Sequence, residues 1–176
     1  MESKTSQFRH TLIYGSVTGG IICFYLLLLY MFSMMNNTKL VNITGLFFVI
    51  GAFISVKHYR DKVMGGYLSF GRAYGTALLS FIFTGVVWAI YGYFLYKYLS
   101  PGLLEEKMTQ SQEALLQLGW TEERVEAYSE LISKSQTPFT FAFGYIFNST
   151  FWGALLAFIL AGLLKRNENP LLKDSD

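Results

Sequence analysis

Four stretches of this chain contain no Asp, Glu, Lys or Arg: residues 11–38, 40–56, 73–96 and 135–164. A helix needs about 20 residues, with a range of roughly 17–25, to cross a hydrocarbon layer about 30 Å thick. Three of the stretches exceed that length, and residues 40–56 meet its lower limit. Buried helices of a soluble bundle show a polar face at every turn. "GGIICFYLLLLYMF" and "GALLAFILAGLL" show none. Only 15% of the chain is charged, against about 25% for a soluble domain. The sequence therefore predicts an all-α, integral membrane bundle of four transmembrane helices, at about residues 11–32, 40–56, 70–96 and 139–164. These form one membrane domain over residues 1–164, and residues 165–176 form a polar tail. The bilayer itself is thus the first partner.

The first block carries a basic lead (Lys4, Arg9) like that of a secretory signal. It is longer than the usual apolar region of about 7–15 residues, however, and no A-x-A-like site follows Phe32. We read it as a retained anchor. Cys23, the only cysteine, lies mid-span, where a thiol behaves as a small apolar side chain.

Four spans put both termini on one side. That side holds Lys4, Arg9, Lys57, Arg60, Lys62, Arg72, Lys165, Arg166 and Lys173; the other holds Lys39, Lys97, Lys107, Arg124 and Lys134. Cytoplasmic loops carry the Lys/Arg excess, so both termini and the 165–176 tail are expected in the cytoplasm. Tyr91, Tyr93, Tyr96 and Tyr98 crowd one end of the third span, and Tyr14, Tyr67 and Tyr74 lie near the opposite boundary. Amphipathic rings favour headgroup depth, so these read as two aromatic belts; a ligand-binding cluster at Tyr91–Tyr98 is the alternative.

Residues 102–138 form the one sizeable polar piece, an extracytoplasmic amphipathic helical hairpin between the third and fourth spans. It divides at Gly119. Leu104, Met108, Leu115 and Leu118 share one face of the first helix; Val125, Tyr128, Leu131 and Ile132 form a stripe at helical spacing on the second. Thr121 is a candidate N-cap, with Glu122 and Glu123 in the first turn, where the helix dipole favours carboxylates. The hairpin carries seven Glu against three cations, and Glu105-Glu106 and Glu122-Glu123 read as a solvated face.

Gly66-Tyr67-Leu68-Ser69-Phe70-Gly71-Arg72-Ala73 copies the glycine spacing of a phosphate-binding loop. Arginine stands where lysine is needed, alanine replaces the Mg²⁺-holding hydroxyl, and no strand precedes it. A nucleotide partner is therefore not expected, and a net charge of +2 gives no reason to expect nucleic acid. Lys57, Arg60, Lys62 and Arg72 read as topology-setting residues, with lipid headgroups as secondary contacts. Ser69 is a candidate cap for the third span.

Small residues four apart let helices approach closely in lipid. Gly15 and Gly19, Gly71 and Gly75, and Gly153, Ala157 and Ala161 have this spacing and predict packing faces on spans one, three and four. No ionisable group lies deep in a span, which argues against a pump or proton-coupled transporter. The remaining intramembrane polar groups are Thr18, Ser55, Thr76, Ser80, Thr84, Asn148, Ser149 and Thr150. Asn148 stands out because its amide needs partners; an interhelical hydrogen bond is the favoured role, a substrate contact the other. The tripeptides at Asn36, Asn42 and Asn148 match the glycosylation pattern but lie in or near the membrane. His10 and His58 are isolated, so no metal site, cofactor or catalytic residue is expected.

"KHYRDKVMGGYLSFGRAYG" between spans two and three, followed by a third span, an "LGWTEERVE" helix pair and a fourth span, resembles the bacterial four-span family named domain of unknown function 4199. The resemblance covers about Phe8 to Leu164, and its most specific element is Gly66 to Ala73, with Gly71 and Arg72. It implies a multi-pass bacterial inner-membrane protein and no activity. Three functions compete: a non-enzymatic interaction, assembly or accessory subunit, partnered by itself or by another membrane protein; a transporter or channel for a small neutral or lipid-like solute; and a lipid-modifying enzyme acting near Arg72 or Tyr91–Tyr98.

Overall fold

The computed structural model describes residues 2–133 and 137–166, all-α apart from one isolated bridge. Lys134, Lys173 and most of the 165–176 tail lie outside the described residues. Six helices follow in order: α1 (Glu2–Met31), α2 (Thr38–His58), α3 (Phe70–Phe94), α4 (Gly102–Gln117), α5 (Glu122–Ser133) and α6 (Pro138–Leu164). α2 and α3 each run on into a wide turn, Tyr59–Val63 and Leu95–Leu99. In these the bonds reach five residues back, from Met64 N–H to Tyr59 O (3.0 Å) and from Ser100 N–H to Leu95 O (2.8 Å). Four helices are long and apolar enough to cross a membrane: Ser6–Met31, Thr38–Val63, Phe70–Leu99 and Pro138–Leu164. α4 and α5 lie between the third and fourth.

The second span is longer than the charge-free stretch 40–56 suggests. Charge does not end a helix, and the backbone ladder continues beneath Lys57, Arg60 and Lys62. Those cations therefore sit on a helix and its last turn, not in an open loop. Likewise α1 starts before residue 11, because polar residues of its first turns have partners inside the bundle. Gln7 Nε2 donates to Thr76 Oγ1 (3.0 Å), and His10 Nε2 lies 3.0 Å from Ser55 O.

The helix ends follow local rules. α1 closes with Ser33 in the left-handed region (φ 56°). Ser33 N–H donates to Tyr30 O and Met34 N–H to Leu29 O, the paired bonds of a Schellman end. Gly119 (φ 87°) ends α4 in the same way. Asn37 caps α2, its Oδ1 accepting from Lys39 and Leu40 N–H. At α6, Thr137 and Thr140 each accept the other's amide through their hydroxyls, a capping box with Pro138 at the first helical position. Ser69 receives the Ala73 amide on its carbonyl (2.9 Å); its hydroxyl makes no cap bond among the described residues.

By contact the chain divides into two compact units, residues 1–88 with 146–176, and residues 89–145. In the first, the small polar side chains are buried with part of the apolar set, and many large apolar side chains face outward. Thr11, Thr18, Thr44, Ser55, Thr76, Ser80, Thr84 and Ser149 are buried, while Ile21, Phe24, Leu46, Ile50, Phe151, Leu155 and Phe158 are exposed. That arrangement suits a hydrocarbon solvent, in which backbone and hydroxyl groups must find partners within the protein. Helices meet at small residues. A Cβ at Gly15 would lie 2.6 Å from Phe83 Cβ, one at Gly19 2.6 Å from Val87 Cβ, and one at Gly153 2.6 Å from Phe81 Cβ. Gly51 meets Thr18 and Gly85 meets Ser149 with no room for a Cβ. Ala157 and Ala161 are fully buried. Gly71 and Gly75 are different: a Cβ at Gly71 would meet nothing within 4 Å, and at Gly75 only Gln7 Nε2 at 3.3 Å. The close-packed stripe of α3 is set two residues on, at the fully buried Ala73 and Ala77.

In the second unit, Gly92 lets the Tyr145 ring lie on α3, and Tyr145 Oη bonds to Tyr96 Oη at 2.7 Å. Tyr96 is 2% exposed, so it belongs to the interior and not to an aromatic belt; Tyr98, 61% exposed, has the belt character. α4 and α5 pack through Val125 and through a bond from Gln112 Nε2 to Ser129 Oγ (2.9 Å).

Candidate functional site

Two regions of the first unit have the makings of a site. The first is the end where α1 begins, α2 and α6 finish and α3 starts. Leu68 and Arg166 exchange backbone bonds of 2.8 and 2.9 Å, tying the α2–α3 connection to the end of α6. Arg60 Nε donates to Asp61 Oδ1 (2.7 Å), and its Nη1 reaches the last-turn carbonyl of Leu164 (3.3 Å). A cation at a helix C-terminus is favoured there by the dipole. Arg72 Nη1 points at Met64 Sδ (3.6 Å), a weak acceptor. Behind them His10 and His58 stack (ring centroids 5.5 Å), with Tyr14 and Tyr59 closing the cluster. Lys57, Arg60, Lys62 and Arg72 are thus gathered at one end of the unit. Lys57, Lys62 and Arg72 are exposed and Arg60 is half-buried. Gly66 (φ 93°) serves the turn after α2, and a helix, not a strand, precedes it, so the geometry of a nucleotide loop is missing.

The second region is a cleft of about 280 Å³ between α2, α3 and α6. Phe48, Phe81, Trp88 and Trp152 supply aromatic walls, Thr44 and Ser149 hydroxyls, and Gly45 and Gly153 clearance. Phe48 stacks on Phe81 (6.2 Å) and tilts against Trp88 (5.3 Å), which holds the α2 and α3 walls. Asn148 lines the same cleft. It lies ten residues after Pro138, about 15 Å into α6 at about 1.5 Å per residue, and is exposed.

The intramembrane Ser and Thr side chains that the sequence singles out with Asn148 all make hydrogen bonds. Thr18, Thr76, Ser80 and Thr84 bond back to the carbonyl one turn earlier; Ser149 and Thr150 bond to Ile146 O; Ser55 and Ser80 bond across helices at 2.8 Å. Thr84 also reaches Gly15 O on α1 (3.1 Å). Asn148 makes no hydrogen bond among the described residues, so the expected interhelical bond within one chain is not formed. The sequence marks the residue but not the cleft. Its walls come from three helices, and the only available signal is polar and aromatic residues one turn apart, Thr44 with Phe48 and Asn148 with Trp152.

With this geometry in hand, comparison with known families is decisive. The family model described as "Protein of unknown function (DUF4199)" matches residues 13–166. The chain belongs to the DUF4199 family. No curated protein and no solved structure matches it. The match takes in the cleft of this DUF4199 protein and its basic end apart from the start of α1. Among its described residues no group of three or more His, Cys, Asp or Glu could hold a metal ion. The two regions hold exposed cations at one end, and the Asn148 amide beside aromatic walls in the cleft.

Proposed function

We propose that this DUF4199 protein is a non-enzymatic assembly protein of a bacterial inner membrane, associating laterally with a second copy of itself along the Asn148 flank of α6. The carrying observation is the Asn148 amide, exposed about 15 Å into a span and without an intramolecular partner. Moving an amide from water into a medium that cannot hydrogen-bond costs about 4–8 kcal/mol. Lipid tails offer nothing to pair with at this depth. A two-fold contact sets one Asn148 against the other, and each amide supplies both donor and acceptor. Excess Lys and Arg at the end shared by the α1 start and the α6 finish supports a cytoplasmic position for both termini.

The test uses Cys23→Ser as background. Asn148→Cys should give an oxidative disulfide-linked dimer in native membranes, whereas Val17→Cys, also exposed but on α1, should not. Asn148→Leu should lower the dimer fraction. No cross-link at 148 under conditions that link a known dimer would refute self-association. The cleft, with its aromatic walls and hydroxyls, favours a second reading, a transporter of a small neutral or lipid-like solute. Solute flux in reconstituted vesicles, lost in Asn148→Leu without any change in the dimer fraction, would decide for it.

A further inference from the structure

The basic end carries an inference separate from lateral association. Among the side chains described there, the cations are Arg9, Lys57, Arg60, Lys62, Arg72, Lys165 and Arg166 and the one acid is Asp61; Glu2, Lys4 and the residues beyond Arg166 lie outside that set. Asp61 is already engaged by Arg60, in the only ion pair among the described residues. Arg9, Lys57, Lys62, Arg72, Lys165 and Arg166 are all exposed. Of the donors on Arg72, one meets a thioether, and no carboxylate among the described side chains comes within ion-pair distance. The backbone beneath this surface is fixed. The Leu68–Arg166 bridge and the Arg60–Leu164 bond hold the end of α2, the start of α3 and the end of α6 together, and Gln7 Nε2 reaches Arg72 O (3.3 Å) from α1. Fixed cations lose less freedom on binding than cations on a mobile loop. Gly65, Gly66 and Gly71 have nothing within 4 Å of where a Cβ would be, so the surface between Lys62 and Arg72 is open to a ligand.

We infer that this surface binds the phosphate headgroups of anionic phospholipids in the leaflet it faces. Two features favour phospholipid over a soluble or nucleic-acid polyanion. The cations sit where four apolar spans end, and among them Phe8, Leu12 and Tyr67 are exposed and apolar or amphipathic. Arginine forks match phosphate oxygens bidentately, while the lysines act as point charges. Each cation close to an anionic surface strengthens association about fivefold.

The experiment uses the full chain reconstituted in phosphatidylcholine bilayers with a minor fraction of phosphatidylglycerol. Spin-labelled analogues of each lipid report their relative association with the protein. The wild type should retain phosphatidylglycerol preferentially. Lys62→Gln with Arg72→Gln should lower that preference by about 25-fold for a lipid held at this site. Raising the salt should weaken it in the wild type, and Lys39→Gln, outside the cluster, should leave it unchanged. All these side chains are exposed, so folding is checked simply by size-exclusion in detergent. Equal retention of both lipids by the wild type, or an unchanged preference in the double variant, would overturn the inference. So would displacement of phosphatidylglycerol by inorganic phosphate but not by chloride of equal ionic strength, which would assign the surface to a soluble anion.

Discussion

Gly153→Ala places one methyl group where the helices are closest. The added Cβ would stand 2.6 Å from Phe81 Cβ, 2.8 Å from Cγ and 3.1 Å from Cδ2. Carbon atoms rest about 3.5–4.0 Å apart, so about 1 Å must be found. Phe81 cannot provide it by rotating, because its Cβ is fixed to the α3 backbone and the ring is 1% exposed and stacked on Phe48. α6 must therefore move off α3, and overpacking of this kind costs about 1–3 kcal/mol. Relief of glycine's conformational freedom returns roughly 0.5–1 kcal/mol in a helix, so mid-range values leave a net loss of about 1 kcal/mol. Gly162→Ala is the control: it lies on the same helix, nothing stands within 4 Å of its Cβ, and it should be neutral or slightly stabilising. Unfolding by SDS in mixed micelles, followed by tryptophan fluorescence from the cleft, measures both. Gly153→Ala as stable as wild type, beside a well-behaved Gly162→Ala, would refute the packing of α6 on α3 at this point.

Other contacts give smaller, separable effects. Ser55→Ala and Ser80→Ala should couple in a double-mutant cycle by about 0.6 kcal/mol, the average for interhelical bonds in lipid, since their hydroxyls pair at 2.8 Å; zero coupling in the same SDS titration would place the bond elsewhere. Thr137→Ala removes the hydroxyl that accepts the Thr140 amide and leaves the bond from its own N–H to Thr140 Oγ1; it should cost about 0.5–2 kcal/mol, with Thr137→Ser restoring most of it. Tyr145→Phe removes the hydroxyl bonded to Tyr96 and should cost about 1 kcal/mol, whereas Tyr98→Phe, on an exposed ring, should change stability little.

Most of the architecture is legible in the sequence because hydrocarbon is an undemanding solvent to read. Residues 11–38 and 135–164 have no reason to be uncharged except a bilayer. Span ends are less legible, since Lys57 and Lys62 stop the apolar run but not the hydrogen-bond ladder, and α2 therefore runs on. The small-residue rule marks Gly15, Gly19 and Gly153 but offers Gly71 and Gly75 on equal terms. Ala73 and Ala77 win instead, because the direction α3 faces is set by Thr76, Ser80 and Thr84, which need partners inside. Tyr96 shows the same limit: residue type suggests the interface, and the bond to Tyr145 draws it inward. The cleft depends on how three helices pair, which one sequence does not record.

The proposal tested most directly is that the four membrane-spanning helices set the basic end toward the cytoplasm. In a Cys23→Ser background, single cysteines at Lys62→Cys and Leu118→Cys, both at exposed positions, are treated in intact cells with a membrane-impermeant thiol reagent. The account predicts labelling at 118 and none at 62 until the cells are opened. Labelling at 62 in intact cells, or at neither position after lysis into detergent-free buffer with the protein soluble and folded, would contradict it.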